Sequence, residues 1–126
     1  MQYTAYKRAT LLIPSGPGMH LYVVMNDVDS NGQHILFSIT TARENKYYDK
    51  ACILEPDDHD FLENKSYVYY KEPLLRHSTH ITKCVGKRVF FPRTDIELDV
   101  FNCIYDGIIR SIHSSRWAKK YSLDFL

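Results

Sequence analysis

The segment from residue 20 to residue 43, HLYVVMNDVDSNGQHILFSITTAR, constrains the fold most, because two apolar stretches flank a turn rich in Asp, Asn and Gly. Residues 20–26 are rich in Val, Leu and Tyr, which predicts a strand that is buried on both faces. Asn31-Gly32 is typical of a hairpin turn, and residues 34–41 are apolar again. The segment therefore predicts a β-hairpin whose second strand ends in a polar corner.

Short apolar segments elsewhere in the chain predict further strands around this hairpin. Turns that contain Gly, Pro or acidic residues separate them, as expected in a sheet of short antiparallel strands. The segments cover residues 9–13, 51–54, 66–71 and 88–91, and residues 79–86 are expected to form a single helical turn.

The last third of the chain changes from a strand pattern to a helix pattern. Thr94 and Glu97 have the spacing of a capping box, which predicts the start of a helix. Apolar residues then recur with the period of an amphipathic helix. They are Ile96, Val100, Phe101, Ile104, Tyr105, Ile108, Ile109 and Ile112. We therefore predict a helix over about 95–113, followed by a basic tail over 114–126.

Together these elements predict one α+β, mostly β domain over residues 1–126, in which a small, strongly bent sheet or barrel is closed by the C-terminal helix. A chain of 126 residues is large enough for one such core. Sixteen basic residues against fifteen acidic ones leave a net charge of +1. Binding to nucleic acid would therefore require a local basic patch, since the overall charge provides no attraction.

The cysteines and the apolar segments bear on the cellular compartment. Cys52, Cys84 and Cys103 are widely spaced, odd in number and without a CxxC pair. This pattern favours reduced, mostly buried thiols in a cytosolic protein over a zinc site. The N-terminal apolar run is too short for a signal peptide, and no stretch approaches the roughly 20 apolar residues that cross a bilayer. We expect a cytoplasmic location and no membrane partner.

Four segments follow one another in an order that a known family shares. They are SGPGMHLYVVMN (residues 15–26), Ser38-Ile39-Thr40-Thr41 with Arg43 beyond, Ser66-Tyr67-Val68, and the helix at 95–112. This order resembles the MazF/PemK family of toxin endoribonucleases over roughly residues 9–113. In that family a Gly-rich loop leads into an apolar strand, a hairpin ends in a Thr-containing corner, and a Ser-x-Val strand precedes a closing helix.

The resemblance implies a fold and an activity. The fold would be an SH3-like barrel, as in the CcdB/PemK toxins, with a C-terminal helix. The activity would be cleavage of single-stranded RNA by a homodimer that belongs to a toxin–antitoxin system. The cognate antitoxin protein would silence the toxin by occupying the same groove, and no cofactor is expected.

The sequence departs from the family pattern at one position that bears on activity. Family members commonly have Arg-Pro where this chain has His20-Leu21, and that Arg is a principal catalytic residue. The departure keeps a second interpretation open, a non-catalytic SH3-like barrel that binds a protein or a nucleic acid. A relative that acts on a protein target, as the gyrase-poisoning toxins do, belongs to this second class.

Residues around the hairpin supply the groups that metal-free RNA cleavage requires. In that reaction the 2′-hydroxyl of the RNA attacks the phosphate, while the enzyme moves protons and stabilises the charge on phosphorus. We hypothesise that His20 acts as acid or base, that Thr40 donates to the phosphate and that Arg43 neutralises it. Thr41 is a further hydroxyl candidate. The alternative is that His20 starts a strand and that Thr40-Thr41 caps a turn.

His59 is a candidate for a second acid/base residue. It lies in the acidic segment 55–60, EPDDHD, whose carboxylates could raise the pKa of an imidazole and orient its ring. The alternative is a solvated acidic turn. His77 and His80 have no third ligand in view, so no metal site is predicted.

Aromatic and basic residues suggest where RNA bases and phosphates would bind. Tyr47 and Tyr48, beside Lys46, could stack unpaired bases, although tyrosines in a small β protein mostly serve packing. The basic tail over 114–126, which contains Trp117, could contact RNA, form a solvated helix end or dock a partner.

Overall fold

The strands form one curled, antiparallel sheet, a half-barrel, in a computed structural model that describes residues 2–126. They are β1 (Thr10–Ser15), β2 (Gly18–Val24), β3 (Gln33–Thr41), β4 (Ile53–Leu54), β5 (Ser66–His77) and β6 (Phe91–Arg93). Their order across the sheet is β4-β5-β3-β2-β1-β6. The helices are α1 (Ser78–Gly86), α2 (Leu98–Arg110) and α3 (Arg116–Phe125). The predicted α+β, mostly β class is confirmed.

The central strands β2 and β3 form the predicted hairpin. Their connection, residues 25–32, is longer than a two-residue turn. Asp29 organises it, because one carboxylate oxygen accepts hydrogen bonds from the amides of Asn31 and Gln33, both at 2.8 Å. Gly32 has a φ of +79°, a left-handed conformation that glycine adopts without strain.

Alternation along the central strands gives the sheet two buried faces, as the apolar run of β2 predicted. Leu21, Ile39 and Val68 lie on the face that we call the inner face, against which α2 and α3 pack. Tyr22 and Leu36 alternate with them and lie on the outer face, against which α1 packs. The sheet is therefore covered on both sides around its centre.

The helix α2 starts later than the capping-box spacing predicted. Residues 94–97 are not helical, because the backbone of Ile96 is hydrogen-bonded to Arg8. The amide of Ile96 donates to the Arg8 carbonyl and the Arg8 Nε donates to the Ile96 carbonyl, each at 2.9 Å. The Thr94 hydroxyl donates instead to Asp60 at 2.9 Å. The predicted helix start was wrong because these long-range bonds outweigh the local signal.

The C-terminal region contains more helix than the sequence predicted. The predicted range of 95–113 was too long at both ends, but part of the predicted basic tail forms α3. Ser115 caps α3, since its hydroxyl accepts a hydrogen bond from the amide of Ala118 at 3.2 Å. Residues 79–86 likewise belong to a full helix, α1. Within residues 2–126, no helix combines the length and apolar character needed to cross a membrane.

Candidate functional site

A cleft of about 600 Å³ lies at the open end of the central hairpin. The start of β2, the end of β3 and the segment between β4 and β5 surround it. Its lining, which defines what we call the hairpin cleft, consists of Met19, His20, Ile39, Thr40, Thr41, Arg43, Asp60, Phe61, Leu62, Glu63, Asn64, Ser66 and Arg93. The structure thus brings four sequence-predicted residues, His20, Thr40, Thr41 and Arg43, into one cleft.

The two threonines approach the hairpin cleft from different faces of the sheet. Thr41 is two residues from Ile39 and shares its inner face, whereas Thr40 lies on the outer face. The pair of Leu21 with Ile39 is the last one of the β2–β3 ladder towards the cleft, and His20 and Thr40 are the next residues on the two strands. Both alternate to the outer face and both line the cleft.

Arg93 is a cleft residue that the sequence analysis missed. It belongs to β6, which pairs with β1 so that Arg93 lies opposite Thr10. No local pattern signals this position, because the pairing joins distant parts of the chain. Arg43 and Arg93 are both exposed, and neither guanidinium has a hydrogen-bond partner among residues 2–126. They leave two free cationic groups to bind an anion.

Asp60 and Glu63 place carboxylates in the same lining. Asp60 is engaged within the protein, since one of its oxygens accepts the Thr94 hydroxyl and the other lies 3.2 Å from Nδ1 of His59. The two carboxylates balance the charge of the two guanidinium groups. An anion would therefore have to bind against a guanidinium of the lining and away from the carboxylates.

The structure places His59 behind the hairpin cleft and not in its lining. Its side chain is buried. Nε2 donates to the Thr94 carbonyl at 2.6 Å, and Nδ1 accepts from the amide of Phe61 at 3.0 Å. The Phe61 amide can only donate, so Nδ1 must accept, although an Asp60 oxygen is also near it. The ring proton then lies on Nε2, and a ring in this form satisfies both bonds. His59 thus joins the segment before β5 to the segment before α2.

Tyr47 and Tyr48 line a second hollow of about 230 Å³, which we call the tyrosine groove. Its other lining residues are Asp49, Tyr67, Tyr69, Tyr70, Lys71 and His113. Tyr48 stacks on Tyr67 with ring centroids 5.3 Å apart, and the Lys50 ammonium lies 5.6 Å from the centroid of Tyr48. Tyr47 is 76% exposed. Lys46, the third predicted binding residue, is exposed but lines neither hollow.

The hairpin cleft and the tyrosine groove meet on the outer face. Thr40 lies directly opposite Tyr67 in the β3–β5 register, and such residues project on the same face with Cβ atoms about 4.5–5.5 Å apart. His20, Thr40 and Tyr67 therefore form a row across three neighbouring strands. Burial, reinforced by Tyr69 and the Asp49 carboxylate, raises the pKa of Tyr67, so its hydroxyl is protonated at neutral pH.

Neither a metal-binding cluster nor a match to a known protein gives further information about the function of this site. Among residues 2–126, no group of three or more His, Cys, Asp or Glu side chains could hold a metal ion together. The sequence matches no family model and no curated protein. The residues of the cleft and the groove are therefore the features that bear on function.

Proposed function

We propose that the hairpin cleft binds single-stranded RNA and cleaves it without a metal ion. The observation that carries this proposal is the presence of one imidazole, two threonine hydroxyls and two unpaired guanidinium groups in the lining of one cleft. Such groups can transfer a proton, donate hydrogen bonds to a phosphate and neutralise its charge.

Five residues of the cleft have roles in this mechanism. His20 takes the proton from the 2′-hydroxyl, whose oxygen attacks phosphorus, or gives a proton to the 5′ oxygen that leaves. Thr40, the neighbour of His20, donates its hydroxyl to a phosphate oxygen. Arg43 and Arg93 bind the phosphate and stabilise the charge that builds up during attack. Thr41, on the inner face, adds a donor on the other side.

The tyrosine groove extends this site to the bases. A strand that crosses the row from His20 to Tyr67 would carry its next bases onto the stacked rings of Tyr48 and Tyr67. Lys50 and Lys71 lie beside these rings and would meet the phosphates. Because an aromatic ring can stack only on an unpaired base, this arrangement favours single-stranded over double-stranded RNA.

The proposal includes the biological setting that the family order implies. The chain would be a cytoplasmic MazF/PemK-like toxin with an SH3-like barrel, active as a homodimer and silenced by an antitoxin that occupies the hairpin cleft. Support comes from the order of the segments, from the curled antiparallel sheet, and from α2, which packs on the inner face where a closing helix would lie.

A second candidate is a non-catalytic module that binds RNA or a protein in the same cleft. The orientation of His20 favours it, because alternation along β2 places His20 on the outer face and away from Thr41. In this case Arg43 and Arg93 bind an anionic partner and no residue transfers a proton.

The test is cleavage of a mixed-sequence single-stranded RNA by purified protein in the presence of EDTA. We expect cleavage by the unchanged protein and a loss of about 100-fold or more in His20→Ala. Arg43→Ala and Arg93→Ala should also be impaired. Arg116→Ala is the matched control, because Arg116 is exposed and lines neither hollow.

The outcomes of this assay separate the two candidates. RNA that is bound but left intact by every variant would support the non-catalytic module. RNA that is neither bound nor cut would contradict both the nuclease and the RNA-binding module. A module that binds a protein would then remain.

A further inference from the structure

The thiols of Cys52 and Cys103 are in direct contact inside the protein. Their sulfur atoms are 2.8 Å apart, although the residues are separated by 51 positions in the sequence. Cys52 immediately precedes β4 and is 1% exposed, whereas Cys103 lies on α2 and is partly exposed. The sequence predicts reduced, mostly buried thiols, and the spacing of these two residues carries no signal of their contact.

We propose that Cys52 and Cys103 are a redox-sensitive pair that forms a reversible disulfide. A disulfide requires a sulfur–sulfur distance of about 2.05 Å, so the two atoms need only a short approach from their present separation. The bond would join the segment before β4 to the middle of α2.

The backbone around the two cysteines is already held in position. Arg110 Nη2 donates to the Ala51 carbonyl at 2.8 Å, and the Ser111 hydroxyl donates to the Asp49 carboxylate. The amide of Val68 donates to the Cys52 carbonyl at 3.2 Å. These bonds fix the segment to both α2 and β5, so closure of the disulfide requires little movement of the chain.

The exposure of the two thiols determines the order of the reaction with a small disulfide such as oxidised glutathione. The Cys103 thiolate attacks the reagent and forms a mixed disulfide, and one glutathione thiolate leaves and takes up a proton. Cys52 then attacks the Cys103 sulfur and the second glutathione leaves as a thiol. Two protein thiols are oxidised and one glutathione disulfide is reduced. Burial, reinforced by the hydrogen bond to Cys103, raises the pKa of Cys52, which agrees with entry through Cys103.

The disulfide would affect the tyrosine groove as well as stability. Tyr70 and Asp49 line that groove, and the Tyr70 hydroxyl donates to the Ile104 carbonyl, next to Cys103 in α2. Closing a loop of this length should raise the melting temperature by roughly 10 °C.

The experiment uses the full chain with Cys84→Ser, so that only the proposed pair can react. The folded protein is incubated with oxidised glutathione, then examined by intact mass, by non-reducing peptide mapping and by thermal melting. We expect the loss of two hydrogen atoms, a peptide that links residues 52 and 103, and a higher melting temperature that a reductant reverses. The Cys84→Ser, Cys103→Ser double variant is the control and should show none of these changes.

Other outcomes of the same experiment would overturn the inference. A glutathione adduct that persists on Cys103 would show that Cys52 cannot complete the exchange. Two thiols that remain free in folded protein would show that the pair is not oxidisable. All three readouts are independent of RNA, so the result stands whether or not the protein is a nuclease.

Discussion

Thr40 on β3 and Tyr67 on β5 lie directly opposite each other, so a hydroxyl of the hairpin cleft and a ring of the tyrosine groove project on the same face. Tyr67 in turn stacks on Tyr48. The two hollows therefore border each other at this pair, and under the proposed function a single strand would place a phosphate in the cleft and an unpaired base on the rings.

The stacked rings give a first prediction. Tyr48→Ala should weaken the binding of single-stranded RNA about tenfold, because base stacking contributes about 1–3 kcal/mol per base. Tyr48→Phe retains the ring and should bind as the unchanged protein does. Fluorescence anisotropy with a labelled RNA measures both affinities. Equal binding by the Ala and Phe variants would contradict a stacking role.

The buried ring of His59 gives a second prediction, which separates a structural role from a catalytic one. His59→Ala removes the bonds to Thr94 and Phe61 and leaves a cavity in place of a buried ring, although the Thr94 carbonyl keeps the Thr10 hydroxyl as a donor. The free energy of unfolding should fall by about 2–4 kcal/mol. Urea denaturation measures the change, with the exposed His80→Ala as the control. Unchanged stability together with lost cleavage would restore His59 as a catalytic candidate.

The contact of Gly107 with Tyr70 gives a third prediction. A Cβ atom at Gly107 would lie 1.9 Å from the Tyr70 hydroxyl oxygen, and Tyr70 is 1% exposed and cannot swing away. Gly107→Ala should therefore destabilise the protein by about 1–3 kcal/mol, despite the better helix propensity of alanine.

The matched control for this change is Gly86→Ala, at the end of α1, where a Cβ atom would meet nothing within 4 Å. It should leave the free energy of unfolding unchanged or slightly higher. Thermal denaturation of the two variants provides the comparison, and equal melting temperatures would contradict the assigned contact.

Asp29 gives a prediction about pH. Burial opposes its ionisation, but hydrogen bonds from the Tyr121 hydroxyl and from the amides of Gln33 and Asn31 outweigh that effect and lower its pKa. A carboxyl with a lowered folded-state pKa adds stability above its unfolded pKa of about 3.9, and that stability is lost as the pH falls through the folded value.

The free energy of unfolding should therefore fall on acidification below about pH 4, and it should fall less steeply in Asp29→Asn. Urea denaturation over this pH range measures both slopes, and Tyr121→Phe should show part of the effect because it removes one of the bonds. Parallel slopes in all three proteins would exclude a contribution from Asp29.

The sequence predicts most of the strands because their signals are local. The apolar runs of β2 and β3, with turn residues between them, are sufficient to predict the hairpin, although its connection is longer than a turn at Asn31-Gly32. The start of α2 could not be predicted, because the bonds that hold Ile96 out of the helix come from Arg8, at the other end of the chain.

The same distinction applies to the candidate site. The sequence places His20 and Thr40 at the same end of one hairpin, but it does not give their register, because the connection covers residues 25–32 and is not a two-residue turn at Asn31-Gly32. Arg93 could not be placed beside them, because it enters the cleft only through the pairing of β6 with β1. The contact between Cys52 and Cys103 likewise arises from the packing of α2 on the inner face.

The most direct measurement compares an RNA oligonucleotide with the same oligonucleotide in which each 2′-hydroxyl is replaced by hydrogen, both incubated with the protein and EDTA. If the cleft performs metal-free transesterification, the RNA is cut to products with a 2′,3′-cyclic phosphate and a 5′-hydroxyl. The 2′-deoxy strand should be bound but stay intact, because the nucleophile is missing. Cleavage of both strands, or of neither, would contradict the proposed mechanism.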